Sequence, residues 1–302
     1  MKLKTKDLLT LDELTDSEIL KIIDLGINLK KQLKKGSQKP LLKNKTLAMI
    51  FQKPSTRTRV SFETGMYQLG GHALNLSSND LQLSRGETIE DTAKTLSGYV
   101  DGIMARVYDQ KLIEDLAKNS KIPVINGLSD SFHPCQTLAD LMTIKEKKKK
   151  LKGLKVAWIG DGNNVCNSLI YGCAKTGINI SIATPKGFEP DKNVINKSKK
   201  KIKIILTTDP HAAVKDADVV FTDTFTSIHN LDKKREKKFL PKYQVTPALM
   251  KKAKKNAIFL HCLPAKRGKE VTSTVIDGPQ SAVWDQAENR LHSQKALLAS
   301  MM

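Results

Sequence analysis

Short apolar runs alternate with longer amphipathic stretches along the whole chain. This alternation is typical of parallel strands joined by helices that cover the sheet. The apolar runs of the first half predict four strands: Leu47–Phe51, Ala73–Leu76, Gly102–Val107 and Pro123–Asn126. Those of the second half predict five more: Lys155–Ile159, Ile180–Ala183, Ile204–Leu206, Val219–Thr222 and Ile258–Leu260.

The amphipathic stretches predict the helices between these strands. They are Ser17–Lys35, Thr88–Tyr99, Lys111–Asn119, Pro134–Lys150 and Ala282–Leu298, with one more that carries Val60, Phe62, Met66 and Leu69. A chain of 302 residues has reached the size at which one hydrophobic core divides into two. We therefore expect an α/β fold with two doubly wound domains, each a parallel sheet flanked by helices.

The domain boundary is predicted near residue 150, where the sequence becomes rich in lysine. The expected domains are residues 1–150 and 151–302. The last helix, about 282–302, is expected to pack back on the first domain. We expect ligands beyond the carboxyl ends of the strands, as in other open α/β sheets.

The charge and composition narrow the class of protein. The net charge of +20 comes mostly from lysine and raises the alternative of a nucleic-acid-binding protein. The few aromatic residues do not interleave with basic ones as base-stacking residues do, so a solvated lysine surface is the favoured interpretation. With no apolar run of membrane-spanning length and no signal-like start, we expect a cytoplasmic protein. The four cysteines form no C-x-x-C pair, which argues against a zinc ribbon or a disulfide framework.

The strongest chemical signal in the first half directly follows its first strand. The segment reads Lys53-Pro54-Ser55-Thr56-Arg57-Thr58-Arg59. A helix that begins here offers unpaired backbone N–H groups, three hydroxyls, and two guanidinium groups suited to phosphate or carboxylate. Arg106 ends a later, otherwise apolar strand, and an edge salt bridge is the alternative role for it. His133 and Gln136 lie one turn apart at a helix start and can both point toward a ligand in the cleft, but a capping histidine is the favoured interpretation of His133 taken alone.

The second half has its own polar strand ends. Gly160-Asp161-Gly162-Asn163-Asn164 resembles half of a dinucleotide fingerprint, but the third glycine and the ribose-binding acidic residue are absent. A nicotinamide-dependent oxidoreductase is therefore the weaker alternative. Asp223 follows another strand, and His261 and Cys262 end the last one. Neighbouring side chains on a strand point to opposite faces, so we do not expect a cysteine–histidine dyad.

Taken together, Ser-Thr-Arg-Thr-Arg at 55–59, His-Pro-x-Gln at 133–136 and His-Cys-Leu-Pro at 261–264 resemble the aspartate/ornithine carbamoyltransferase family, over essentially the whole chain. The resemblance implies transfer of a carbamoyl group from carbamoyl phosphate to ornithine in arginine metabolism, with no metal and no organic cofactor. It implies that phosphate is held by Ser55, Thr56, Arg57, Thr58 and Arg106. The carbamoyl group would meet His133, Gln136, Cys262, Leu263 and Arg290.

The resemblance also assigns the catalytic and ornithine-binding roles. Arg106, His133, Cys262 and Asp223 would be catalytic, and Asn164, Asp223, Ser227 and Ile228 would contact ornithine. Gln82 resembles a loop residue that reaches a neighbouring subunit's site, which implies a homotrimer or an assembly of trimers. Two departures from the family pattern, Phe225 in place of Trp and Ser227-Ile228-His229 in place of Ser-Met-Gly, keep putrescine or a modified ornithine as alternative acceptors.

Overall fold

The computed structural model describes residues 2–77, 81–226 and 233–302. The chain divides into two compact units. The first comprises Met1–Met142 and Glu288–Met302, and the second is Thr143–Ala287. Among the described residues, no helix combines the length and the apolar character that crossing a bilayer requires.

The first unit contains a parallel sheet of four strands in the order β2-β1-β3-β4. The strands are β1 (Thr46–Phe51), β2 (His72–Ser77), β3 (Gly102–Arg106) and β4 (Val124–Leu128). The helices are α1 (Asp16–Lys34), α2 (Thr56–Gln68), α3 (Ile89–Tyr99), α4 (Gln110–Asn119) and α5 (Pro134–Lys148), and a 3₁₀ turn spans Gln82–Arg85. β1 is buried on both faces, which explains why its sequence is a continuous apolar run.

The second unit contains a parallel sheet of five strands in the order β7-β6-β5-β8-β9. The strands are β5 (Lys155–Ile159), β6 (Asn179–Ala183), β7 (Ile204–Thr207), β8 (Val219–Thr222) and β9 (Ile258–His261). The helices are α6 (Asn164–Thr176), α7 (Lys192–Ser198), α8 (Pro210–Val214), α9 (Lys233–Glu236), α10 (Pro247–Met250), α11 (Ser273–Ile276) and α12 (Val283–Met301). The division between the units falls within α5 and α12.

These sheets confirm the predicted fold class, and all nine predicted strands are present with ends that move by at most two residues. Each unit has its own apolar core. In the first, Ile50, Ile103 and Val124 of adjacent strands pack with Ile113 and Leu116 of α4. The second core takes Ala157, Val220 and Phe259 from three strands and adds Phe225, Phe239 and Tyr243.

Each sheet has one point at which the strand order reverses. In the first unit this point lies between β1 and β3, and in the second it lies between β5 and β8. Ligands of doubly wound sheets bind in the crevice beyond the carboxyl ends of the strands at such a point. The fold therefore marks one place in each unit where functional side chains are expected.

Candidate functional site

In the first unit, the polar segment after β1 begins α2 at the point where the strand order reverses. Ser55 is the N-cap of α2, and its side chain accepts a hydrogen bond from the Thr58 N–H at 3.2 Å. The Thr58 hydroxyl is fully buried and accepts from Arg106 Nη1 at 3.2 Å and from Arg290 Nη2 at 3.2 Å. Two guanidinium groups therefore converge on the first turn of a helix, which already favours an anion.

Arg290 is almost entirely buried, and its orientation is fixed by Gln136, which the sequence indicated, together with Gln294 and Asp140, which it did not. Its Nη1 donates to Gln136 Oε1 at 2.8 Å, and its Nε donates to Gln294 Oε1 at 3.0 Å. Gln136 in turn donates from Nε2 to Asp140 Oδ1 at 2.8 Å. Both Gln294 and Asp140 lie four residues after the residue they hold on the same helix, and this spacing is the sequence signal that could have identified them.

His133 lies immediately before α5 and is also buried. Burial, together with the nearby charges of Arg290, Arg106 and Arg57, lowers the pKa of His133 well below its usual value. The imidazole is consequently neutral at neutral pH. A neutral imidazole can donate one hydrogen bond to an oxygen without adding to the positive charge of the three arginines.

A cavity of about 450 Å³ lies beside the start of α2, lined by Lys53, Ser55, Thr56 and residues of β1 and β2. The Lys53 side chain is 2% exposed, and its Nζ lies 3.9 Å from the centre of the Tyr108 ring. Burial and the neighbouring Arg106 lower the pKa of Lys53 to about 8. Lys53 is therefore only partly protonated at mildly alkaline pH.

The remaining predicted residues of the first unit are more open to solvent. Thr56 is exposed and Arg57 half-buried on the first turn of α2. Gln82 is exposed on the 3₁₀ turn Gln82–Arg85.

In the second unit, Asn163 and Asp223 meet where the strand order reverses between β5 and β8. Asn163 is the N-cap of α6, and its Nδ2 donates to Asp223 Oδ2 at 2.7 Å. Asp223 Oδ1 accepts from the Cys262 thiol at 3.1 Å and from the Thr224 N–H at 2.7 Å. The neighbouring Asn164 uses its Oδ1 to accept from the Val165 N–H at 3.0 Å. The Asp223 carboxylate is thus held by an amide, a thiol and a backbone N–H.

His261 and Cys262 bond to different partners. The Leu263 N–H donates to His261 Nδ1 at 2.9 Å, so Nε2 carries the proton and donates to Glu270 Oε1 at 3.2 Å. Leu263 has a φ of +59°, a conformation that is unusual for a branched residue, and the bond from its N–H to the imidazole supports it. His261 therefore shapes the Cys262–Leu263 turn.

Metal and dinucleotide binding can be judged from the same contacts. One possible ligand atom each from Asp223, His261 and Cys262 lie within 4.8 Å of one another. The hydrogen bonds described above already engage the Asp223 carboxylate, the Cys262 thiol and both imidazole nitrogens, and they account for this cluster without an ion. At Gly162, a Cβ would meet the Pro190 nitrogen at 2.3 Å, so the close packing of protein backbone explains the glycine at this position without a dinucleotide.

Two predicted site residues, Ser227 and Ile228, and the neighbouring His229 lie outside the described residues.

Comparison with known proteins gives a consistent result over the whole chain. The family described as "Aspartate/ornithine carbamoyltransferase, carbamoyl-P binding domain" matches residues 6–146, and "Aspartate/ornithine carbamoyltransferase, Asp/Orn binding domain" matches residues 152–301. An ornithine carbamoyltransferase of Cenarchaeum symbiosum (strain A) is 65% identical over 301 residues, which cover 100% of this chain and 99% of that protein.

Two solved structures are similar in fold as well. The ornithine carbamoyltransferase of Pyrococcus furiosus has a TM-score of 0.94 and 56% identity, covering 98% of this chain and 96% of that chain. The anabolic ornithine carbamoyltransferase of Campylobacter jejuni subsp. jejuni NCTC 11168 has a TM-score of 0.90 and 44% identity, covering 97% of this chain and 98% of that chain.

Proposed function

The chain belongs to the aspartate/ornithine carbamoyltransferase family, and we propose that it transfers the carbamoyl group of carbamoyl phosphate to the δ-amine of L-ornithine. The products are L-citrulline and phosphate. The observation that carries this proposal is the convergence of Arg106 and Arg290 on Thr58 at the first turn of α2. The ornithine carbamoyltransferases to which the chain is similar over almost its whole length support the choice of acceptor.

Carbamoyl phosphate binds in our scheme with its phosphate on the start of α2. Ser55, Thr56, Arg57, Thr58 and Arg106 supply hydroxyl, backbone and guanidinium donors. Guanidinium groups match the geometry of phosphate oxygens and remain charged at every relevant pH. These charges lower the energy of the phosphate as a leaving group.

The carbamoyl group is oriented by the Arg290–Gln136 pair, the neutral His133 and the Cys262–Leu263 turn. When the δ-amine attacks the carbamoyl carbon, negative charge develops on the carbonyl oxygen. Arg106, His133 and the Thr58 hydroxyl stabilise that charge as fixed donors, which is commonly the largest part of catalysis. The bond from carbon to the phosphate oxygen then breaks, and the electron pair leaves with the phosphate.

Ornithine is held by Asp223, Asn164, Ser227 and Ile228. The Asp223 carboxylate pairs with the α-ammonium, and Cys262 helps to orient the δ-amine. The attacking amine must lose a proton, and the departing phosphate, which would otherwise be a trianion, is the strongest base formed in the reaction. The proton therefore moves to the phosphate, and the reaction is balanced with neither a metal nor an organic cofactor.

The enzyme is proposed to act in arginine biosynthesis in the cytoplasm, as a homotrimer or an assembly of trimers. The apolar side chains of Val60, Tyr67 and Leu74 on α2 and β2 support an assembly, because they are 54%, 81% and 38% exposed in the single chain. Gln82 would then act in the site of a neighbouring subunit.

Mixing two inactive variants tests the shared site. Arg57→Ala and Gln82→Ala, unfolded and refolded together in equal amounts, should assemble into mixed trimers. Random assembly makes about three quarters of the trimers mixed, and one of the three sites in each mixed trimer has both Arg57 and Gln82 intact. About one quarter of all sites should therefore recover. If each variant is inactive alone, subunits exchange, and the mixture is no more active than its parents, the site does not use Gln82 from a second chain.

The reaction itself is tested with a colorimetric assay for ureido products. Carbamoyl phosphate is supplied with ornithine, putrescine, acetylornithine or aspartate in separate reactions. We expect turnover with ornithine at least about 100-fold above the other acceptors, since putrescine lacks the α-carboxylate, acetylornithine lacks the α-ammonium and aspartate lacks the δ-amine. Preferential turnover of putrescine or acetylornithine would replace ornithine as the substrate, and turnover of none would contradict the proposed function.

A further inference from the structure

One arginine of the second unit contacts both segments that lead into the Asn163–Asp223 pair. Arg235, on the short helix α9, donates from Nε to the Phe225 carbonyl oxygen at 3.1 Å. Its Nη2 forms an ion pair and hydrogen bond with Asp161. Phe225 follows Asp223 by two residues, and Asp161 precedes Asn163 by two. A single guanidinium therefore joins the segments that follow β5 and β8, close in sequence to both residues of the proposed amine site.

The position of this guanidinium is restricted by aromatic rings. It lies 4.7 Å from the ring centre of Phe188 and 6.0 Å from that of Phe239. Phe239 in turn stacks on Phe225 at 4.6 Å with an interplanar angle of 9°. Cation–π contacts strengthen when the cation is partly desolvated, and the Arg235 side chain is 24% exposed. These contacts favour one orientation of the Arg235 side chain. Because that side chain is held in one orientation, its hydrogen bonds restrict the positions of Phe225 and Asp161, which follow β8 and β5.

Arg235 also balances the charge next to Asp223. Burial raises the pKa of Asp161, Arg235 opposes this rise, and the Asp223 carboxylate adds to it. The two carboxylates are therefore close enough to repel each other. Without the guanidinium, Asp161 would either be ionised or be protonated beside the carboxylate proposed to bind the substrate ammonium. The ionised form would add a second negative charge there, and the protonated form would add a hydrogen-bond donor. With it, Asp223 is the acceptor left for that ammonium.

Building on the proposed function, we propose that Arg235 is a positioning residue for the amine substrate. Arg235 hydrogen-bonds to both the Phe225 carbonyl oxygen and the Asp161 carboxylate. These bonds hold Asp223 and Asn163 in a fixed relative position, and they keep Asp161 from competing for the substrate ammonium. Arg235 does not touch the reacting atoms in this scheme. Its effect should appear in the affinity for the amine and should leave carbamoyl phosphate, whose phosphate contacts lie in the first unit, almost unaffected.

Four variants separate this role from a general effect on folding. They are Arg235→Gln, Arg235→Lys, Asp161→Asn and the double variant Asp161→Asn/Arg235→Gln. The matched control is Arg267→Gln, which removes an equal charge from an ion pair with Asp277 whose side chains are 43% and 50% exposed. For each protein, kcat and KM for the amine are measured, together with calorimetric Kd values for the amine and for carbamoyl phosphate.

We expect Arg235→Gln to raise the KM and Kd for the amine about tenfold, the scale of one lost charged hydrogen bond. Arg235→Lys should give an intermediate increase, because lysine keeps the charge but cannot bridge two acceptors with a planar fork. The double variant should bind the amine better than Arg235→Gln alone, since it also removes the unbalanced Asp161 charge. The Kd of the Arg235 variants for carbamoyl phosphate should stay within about twofold of wild type. The Kd values of the control Arg267→Gln for the amine and for carbamoyl phosphate should also stay within about twofold.

The proposal is overturned if Arg235→Gln keeps an amine KM within twofold of wild type, or if its Kd for carbamoyl phosphate rises by the same factor. If Arg235→Gln does not fold, an unchanged amine affinity in Arg235→Lys has the same meaning. The wild-type acceptor panel keeps the two proposals apart. An acceptor other than ornithine would correct the proposed substrate, and the Arg235 variants would then be measured with that acceptor.

Discussion

The two units place polar residues at the same point of the same fold, yet with opposite charge. Between β1 and β3, Arg106 and Arg290 surround a buried hydroxyl at a helix start. Between β5 and β8, the pair is an amide and a carboxylate, Asn163 and Asp223. A doubly wound sheet thus determines where a ligand binds, and the side chains at the strand ends determine which charge it carries.

The largest effect is expected from removing a cation of the first unit. Arg106→Met should lower kcat/KM for carbamoyl phosphate by about 1000-fold, because one donor to both phosphate and the developing oxyanion is lost. Steady-state kinetics measure the loss, and a thermal melt checks that the fold persists. Arg267→Gln is again the control for a removed surface arginine. Activity within tenfold of wild type would show that the β1–β3 site does not bind the reacting group.

The complementary change in the second unit should affect the other substrate. Asp223→Asn removes the carboxylate charge but keeps the shape of the side chain, so we expect kcat/KM for ornithine to fall about 100-fold. Calorimetric binding of carbamoyl phosphate should stay within about threefold of wild type, since the phosphate contacts belong to the first unit. Loss of both substrates with an intact fold would mean that the two units do not divide the substrates by charge.

The sequence was sufficient for the sheets and for the polar strand ends, but it could not supply the side-chain partners. Strands such as β1 are continuous apolar runs, so their pattern is visible in a short window. Two partners of Arg290, Gln136 and Thr58, are 154 and 232 positions away along the chain, and no local pattern relates them to it.

The short helices show a second limit. α8 and α10 have five and four residues, too few for a helical period, and they begin at capping residues, Asp209 and Thr246. Asn163 was visible in the sequence, yet the choice between it and its neighbour Asn164 as the partner of Asp223 depends on which one caps α6. A cap is defined by backbone conformation, which the residue types alone do not determine.

The smallest effect we predict concerns the pH-dependent charge of Lys53 in the first unit. Its pKa of about 8 lies below the usual lysine value because of burial and the nearby Arg106. A bound phosphate anion stabilises the charged amine and so raises that pKa. At pH 8, where about half of the free enzyme has Lys53 protonated, binding of carbamoyl phosphate should take up as much as about half a proton.

Calorimetry in buffers of different ionisation enthalpy measures this uptake directly. Because the charged form is lost as pH rises through about 8, carbamoyl phosphate should bind more weakly at pH 9 than at pH 7. Lys53→Met should abolish the part of the proton uptake that is due to Lys53, and it should weaken the pH dependence of the affinity for carbamoyl phosphate. Protonation of the substrate itself contributes equally in both proteins, so it does not affect the difference between them. Equal proton uptake by wild type and Lys53→Met would show that Lys53 does not sense the anion. The cation-rich site would then consist of arginines alone, with a charge independent of pH in this range, and the contrast with the second unit would rest on the guanidinium groups.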